Sequence, residues 1–301
     1  MATPAQPPPY TSWSRALIKR AIALELQRLR TGAQSKITQQ IAAKRIGRTA
    51  QHVSLLESAQ RLPSPSDMEI LLTLYGVPER VEFFRELLLA AAAKKGPSWW
   101  AVLGAAVPKW FDLFLNLEAG AAELSSFDAL LVTGLLQTPE YAEAVIRADP
   151  DLTDEEVHQR VELRMTRQHV LDRPDNPVRL WTVLDESVLY RRRGGPDVTY
   201  RQLEHLLLLS DRPRIDIQVL PLDAGAHMAQ QGGTFILLKF PPEMVGDPGV
   251  VYHELVTTGV YCDDPAEVAR YERILGRLHA LAATQKDSRA IIERAMKEVR
   301  P

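Results

Sequence analysis

The chain has 301 residues, 46% of them hydrophobic and 25% charged, with a formal net charge of −2. This length favours two domains over one small module, and the composition is that of a globular protein with enough apolar material for a sizeable core. A single cysteine, Cys262, excludes an internal disulfide framework, and no run approaches the ~20 apolar residues of a membrane-spanning helix, so a cytoplasmic protein with no membrane partner is expected.

In chain order, MATPAQPPPYTS carries four prolines in its first nine residues, which predicts an extended or disordered tail over 1–13 and does not read as a secretion signal. Ser14–Arg30 sets Leu17, Ile18, Ala21, Ile22, Leu26 and Leu29 near one face at helical spacing. Thr38 caps a second helix reaching Ile46, Gly47 supplies a tight turn, and Thr49 caps a third helix with Val53 and Leu56 facing inward. Ala43 is small enough for the second and third helices to cross closely. Ser66 with Glu69 predicts a capped fourth helix to Tyr75–Gly76, Pro78 opens a fifth to about Lys95, and Gly96–Pro97 breaks it. The expected boundaries are an all-α domain over 14–96 and an α+β domain over 97–301. In the second, Leu117–Arg147 reads as mainly helical with a turn at Val132–Gly134, and Thr153 caps a helix over Asp154–Leu171. Strands follow at Arg179–Leu184, Ile215–Leu220, Thr234–Lys239, Val250–Glu254 and Gly259–Tyr261, with helices at Val198–Leu209, Asp264–Ala283 and Asp287–Val299.

Charge is unevenly placed. Residues 1–66 hold ten Lys/Arg and only Glu25 and Glu57 as acids, a local +8 against −10 in the remainder. A polyanion partner, duplex DNA, follows from that asymmetry. A helix-turn-helix would set the third helix in a major groove. Gln39 and Thr49, at helix N-termini, suit phosphate, with Lys44, Arg45, Arg48 and Arg61 as further phosphate candidates. Gln51 and His52 would reach base edges, Ala50 a thymine methyl, and Leu55 either a methyl or the packing.

Thr38–Pro63, TQQIAAKRIGRTAQHVSLLESAQRLP, resembles the lambda-repressor-like (XRE) regulators through Thr38-Gln39, Ala43, Ile46-Gly47, Thr49, Val53-Ser54 and Glu57. Ile41 and Leu55 depart from it, standing where that family is more often polar. Leu117–Ile146, Arg160–Leu171, Ile215–His227 and Val250–Tyr271 resemble the C-terminal domain of actinobacterial WhiJ-type regulators, with Thr133 where that family usually has proline. The resemblance implies a transcription factor of development or secondary metabolism, with a small BldB-like protein as partner.

No catalytic or metal constellation emerges, and no cofactor is expected. The histidines show no metal-ligand spacing, and there is no Walker, GxGxxG or GxSxG motif. Asp185-Glu186 at a strand end reads as a helix cap more readily than as an acid–base pair, and Arg191–Arg193 before Gly194-Gly195 as a solvated loop or an anion site. Trp99, Trp100 and Trp110 read as core or interface anchors. The expectation is therefore a homodimeric DNA-binding regulator, a repressor first, nucleoid-associated when bound and modulated through its second domain. An antitoxin-like scaffold and a small-molecule sensor are the alternatives, and a nucleotide-handling enzyme on a DNA anchor is a third with no motif behind it.

Overall fold

The computed structural model describes residues 13–33, 36–94, 100, 107–108, 110–174 and 177–299. The chain divides into two compact units, Met1–Pro97 with Pro241–Asp247, and Ser98–Phe240 with Pro248–Pro301. The proline-rich start, the Gly96–Pro97 break and Trp99 lie outside the described residues.

The first unit is helical. Ser14 caps α1 (Arg15–Gly32) by accepting from the Leu17 amide, and its stripe Leu17, Ile18, Ile22, Leu26 and Leu29 is buried. The stripe packs α1 onto α3 (Ala50–Glu57) and α5 (Val81–Ala93). Thr38 caps α2 (Gln39–Arg45), which buries Ala42 and Ala43 and packs on α3. Alanines there let the two helix backbones approach; a longer side chain would force them apart. Gly47 turns the chain at φ 67°, in the left-handed region that glycine enters without steric cost. The cap of α4 (Pro65–Leu74) is Ser64, whose hydroxyl accepts from the Asp67 amide at 3.1 Å, and not the expected Ser66. Pro65 explains the earlier start, since the first helical position needs no N–H and suits the fixed φ of proline. A single 3₁₀ turn, Pro78–Arg80, leads into α5.

The second unit is built on a six-stranded mixed sheet in the order β3-β2-β1-β4-β5-β6. Its strands are β1 (Glu123–Asp128), β2 (Arg179–Asp185), β3 (Ile215–Leu220), β4 (Phe235–Lys239), β5 (Val250–Glu254) and β6 (Gly259–Cys262). The first three run parallel, and β4, β5 and β6 are each antiparallel to the neighbour before them. Period-two alternation sorts the side chains onto two faces. Leu124, Leu180, Leu184, Ile215, Ile217, Val219, Leu238, Val250 and Tyr252 enter one core, with the helices α6 (Phe111–Gly120), α7 (Pro139–Ile146), α8 (Asp154–Arg167), α10 (Pro196–Ser210) and α12 (Gln285–Val299) supplying its other side chains. Phe127, Val183, Leu220, Phe235, Leu237 and Val251 form the second core with α11 (Pro265–Leu281). A one-turn helix, α9 (Ser187–Tyr190), follows β2 as Asp185 accepts from the Ser187 amide at 3.0 Å.

Strand β1 corrects the expectation of a mainly helical Leu117–Arg147. It lies inside the sheet, paired with β2 on one side and β4 on the other. Its sequence, ELSSFD, has two serines where a strand buried on both faces normally shows aliphatic residues. The serines are tolerated because polar partners meet them. Ser126 Oγ lies 2.9 Å from Thr182 Oγ1 on β2, and both hydroxyls reach Asp128 Oδ2, at 2.6 and 2.8 Å.

Candidate nucleic-acid interface

The turn between α2 and α3 is closed by backbone bonds, Gly47 N to Lys44 O and Arg48 N to Ala43 O. Thr49 stands at the N-cap of α3 with its hydroxyl accepting from the His52 amide at 3.2 Å. Exposed around this turn are Lys44, Arg45, Arg48, Thr49, Ala50 and Gln51. Gln51 projects from the first turn of α3 into solvent, whereas His52 is half-buried, its Nδ1 3.3 Å from the Arg61 guanidinium and its Nε2 buried without a partner. Leu55 is half-buried one turn on, and Ile41 on α2 is exposed. Beyond α3, Ala59 takes φ 57° and the amides of Gln60 and Arg61 both bond Leu55 O at 3.0 Å, which fixes the position of Arg61 beside His52.

The brace between the two helices is ionic. Glu57, at the end of α3, is buried and accepts from Arg30 Nε at 2.6 Å and Arg30 Nη2 at 2.9 Å. Gln39 Nε2, from the first turn of α2, donates to the same carboxylate at 2.9 Å, and Arg30 Nη1 donates to Ile37 O at 3.0 Å. One carboxylate thus ties α1, the lead-in to α2, and α2 itself to α3. The hydrogen bonds that Arg30 donates to Glu57 hold its guanidinium above its ordinary pKa. Gln39 is therefore a brace first. With its amide nitrogen committed to Glu57, its amide oxygen has no hydrogen-bond partner among the described residues.

This arrangement narrows the reading of the +8 charge. Arg30 serves Glu57, Arg20 is paired with Asp247 at 2.8 Å, and Arg28 is paired with Glu25, which Arg80 also reaches. Those three arginines of the basic segment hold the unit together. Lys44, Arg45, Arg48 and Arg61 are exposed and make no ion pair among the described residues. Of the seven cations left over, these four lie around the turn and α3, while Arg15, Lys19 and Lys36 lie on or just before α1 and α2. Sequence reasoning missed the bracing role of Arg30; its signal was the Glu57 that the motif places at the end of the third helix.

A family model described as a domain of unknown function (DUF5753) matches residues 111–294, and one described as a helix-turn-helix domain matches residues 21–83. The chain belongs to the DUF5753 family. Neither the curated proteins nor the solved structures give a match. In this DUF5753 chain the helix-turn-helix match takes in α2, α3 and α4 whole, together with most of α1. No helix of the described residues is long and apolar enough to cross a membrane.

The exposed cations give a direct expectation. Replacing Lys44 and Arg48 together by Gln should weaken binding to all duplex sequences alike and reduce the slope of log K against log salt by about 0.9 for each phosphate no longer neutralised. Fluorescence anisotropy on one specific and one random duplex across a salt series reads this. An unchanged slope would remove these residues from the interface.

Proposed function

We propose that this chain is a sequence-specific transcription regulator whose third helix reads the major groove. The observation that carries the reading is the exposed Gln51 on the first turn of α3, flanked by Lys44, Arg48 and Arg61, which make no ion pair among the described residues. Gln39, Thr49 and the lysine and arginines serve phosphates. Gln51 and His52 read bases, Ala50 meets a thymine methyl, and Leu55 lies at the edge of the groove. His52 reads from a position shared with Arg61, so its contribution includes holding that guanidinium in place. The protein acts as a homodimer on two half-sites about 34 Å apart, one helical turn of DNA. It represses, works in the cytoplasm at the nucleoid, and belongs among actinobacterial WhiJ-type regulators of development or secondary metabolism. The second unit is regulatory and not catalytic, and its partner is a small BldB-like protein; the antitoxin-like scaffold is that same complex with DNA binding as autoregulation.

The test is substitution of Gln51 and His52 by Ala. A bidentate Gln–adenine pair discriminates by about 1–3 kcal/mol, so the preference for the operator over random DNA should fall by roughly ten- to a hundredfold with the fold intact. A footprint identical to that of the parent would refute the assignment. Small-molecule sensing is the second reading, and the cavity in the second unit favours it.

A further inference from the structure

One face of the sheet in the second unit carries a cavity of about 340 Å³, within the size range of small-molecule sites. It opens by the carboxyl end of β1, where the chain leaves toward β2 on one side and returns as β4 on the other. In open sheets such a reversal leaves a crevice that ligands use. Leu124, Val132 and Leu180 make apolar walls. Leu130, Leu255 and Val256 lie at the mouth and are 56%, 51% and 99% exposed. The last two sit on the β5–β6 hairpin, where a side chain at Gly259 would come within 2.6 Å of the Tyr252 ring. A second cavity of about 460 Å³ shares Arg164, Arg167, Leu255 and Val256 with the first, so the two adjoin at α8 and the β5–β6 hairpin.

The polar groups along this space are unequal. Arg160, Arg164 and Arg167 lie at i, i+4 and i+7 on α8, one stripe facing the cavities. Arg167 is satisfied by a buried two-bond pair with Glu118, at 2.8 and 2.7 Å, and lies over the rings of Phe111 and Phe114. Arg164 has one hydrogen bond, to Gln137 Oε1 at 2.9 Å, and no ion pair among the described residues. Burial, reinforced by Arg167 alongside, pulls its pKa down to about 10, so it stays charged at neutral pH at a cost. Arg160 likewise has no ion pair among the described residues, and its Nε is buried without a partner. Glu254 and Glu118 act on Arg164, and Glu156 on Arg160, only through space; neither these carboxylates nor Asp149 hydrogen-bonds either arginine. A partly desolvated guanidinium with no bonded carboxylate is unfavourable, and a carboxylate matches its planar fork with two parallel hydrogen bonds.

We propose that this space binds a small organic acid, its aliphatic or aromatic body between the Leu124 and Leu180 walls and its carboxylate at Arg164 and Arg160. The inference deepens the sensing reading and does not rest on DNA binding, which calorimetry without DNA leaves out. Octanoate and decanoate, with decanol and decylamine as controls, are titrated into the full chain by isothermal calorimetry. The carboxylates bind, and decanol and decylamine bind at least about tenfold more weakly, the scale of a missing charge-assisted hydrogen bond. Arg164→Gln lowers carboxylate affinity by a similar factor, and Arg160→Gln, at the less enclosed position, does so independently should the first variant fail to fold. Absence of binding by either carboxylate, equal binding of decanol, or full affinity in both variants overturns the proposal. Promoter binding by the parent protein is scored separately, so a failure there leaves this result standing.

Discussion

Replacing Glu57 by Ala should unfold the helix-turn-helix while the second unit keeps its structure. The substitution removes the acceptor of two hydrogen bonds from Arg30 and one from Gln39, and leaves a guanidinium whose side chain is 12% exposed with Ile37 O as its remaining acceptor. Breaking a buried ion pair from one side costs about 3–5 kcal/mol, because the surviving charge has lost water as well as its partner. A missing N-cap at Thr38 or Thr49 would cost less, about 1 kcal/mol. Hydrogen exchange on the full chain separates the units. Amides of α2 and α3 should exchange about a hundredfold faster or more, while those of β1–β3 should not change. The double variant Arg30→Met, Glu57→Leu should recover much of the protection, because apolar side chains of similar volume can replace a buried pair. If Glu57→Ala left α3 as protected as before, Glu57 would be a bystander.

The sites that sequence made legible are those fixed by neighbours in the chain. Thr38, Gly47 and Thr49 mark two helices and a turn within a dozen residues because capping and left-handed φ are local properties. Strand β1 was hidden for the opposite reason. Ser126 and Asp128 belong in a buried strand only because Thr182, from 54 residues beyond Asp128, supplies a second hydroxyl to the same carboxylate. The basic segment shows a third case. Composition counts Arg20, Arg28 and Arg30 as part of a DNA-facing charge, yet Asp247, Glu25 and Glu57 claim them in the fold, and Asp247 is 227 residues from Arg20. The stripe Arg160, Arg164 and Arg167 was readable as one helix face. That the other two make no ion pair among the described residues is visible only when Glu118 is seen to bond Arg167 and neither of them.

Asp128→Asn should stabilise the second unit at neutral pH. Burial raises the Asp128 carboxyl to about 6 against an ordinary value near 4, although hydroxyls from Ser126 and Thr182 work in the other direction. The folded state therefore holds the proton more tightly than the unfolded chain does. The stability this gives is fully present below about pH 4 and is lost as pH rises through about 6, so that above pH 7 the ionised, buried carboxylate leaves the fold weaker by up to about 3 kcal/mol relative to acid. Asparagine keeps the shape and an oxygen able to accept from both hydroxyls, without a charge to bury. Urea unfolding followed by the fluorescence of Trp100, Trp110 and Trp181, all in the second unit, should show the variant's advantage growing between about pH 4 and 7 and level beyond it. A difference that does not change with pH, or a variant weaker at every pH, would show that Asp128 is not a buried charge borne at a cost. The carboxyl that bears this cost lines the same cavity as Arg164.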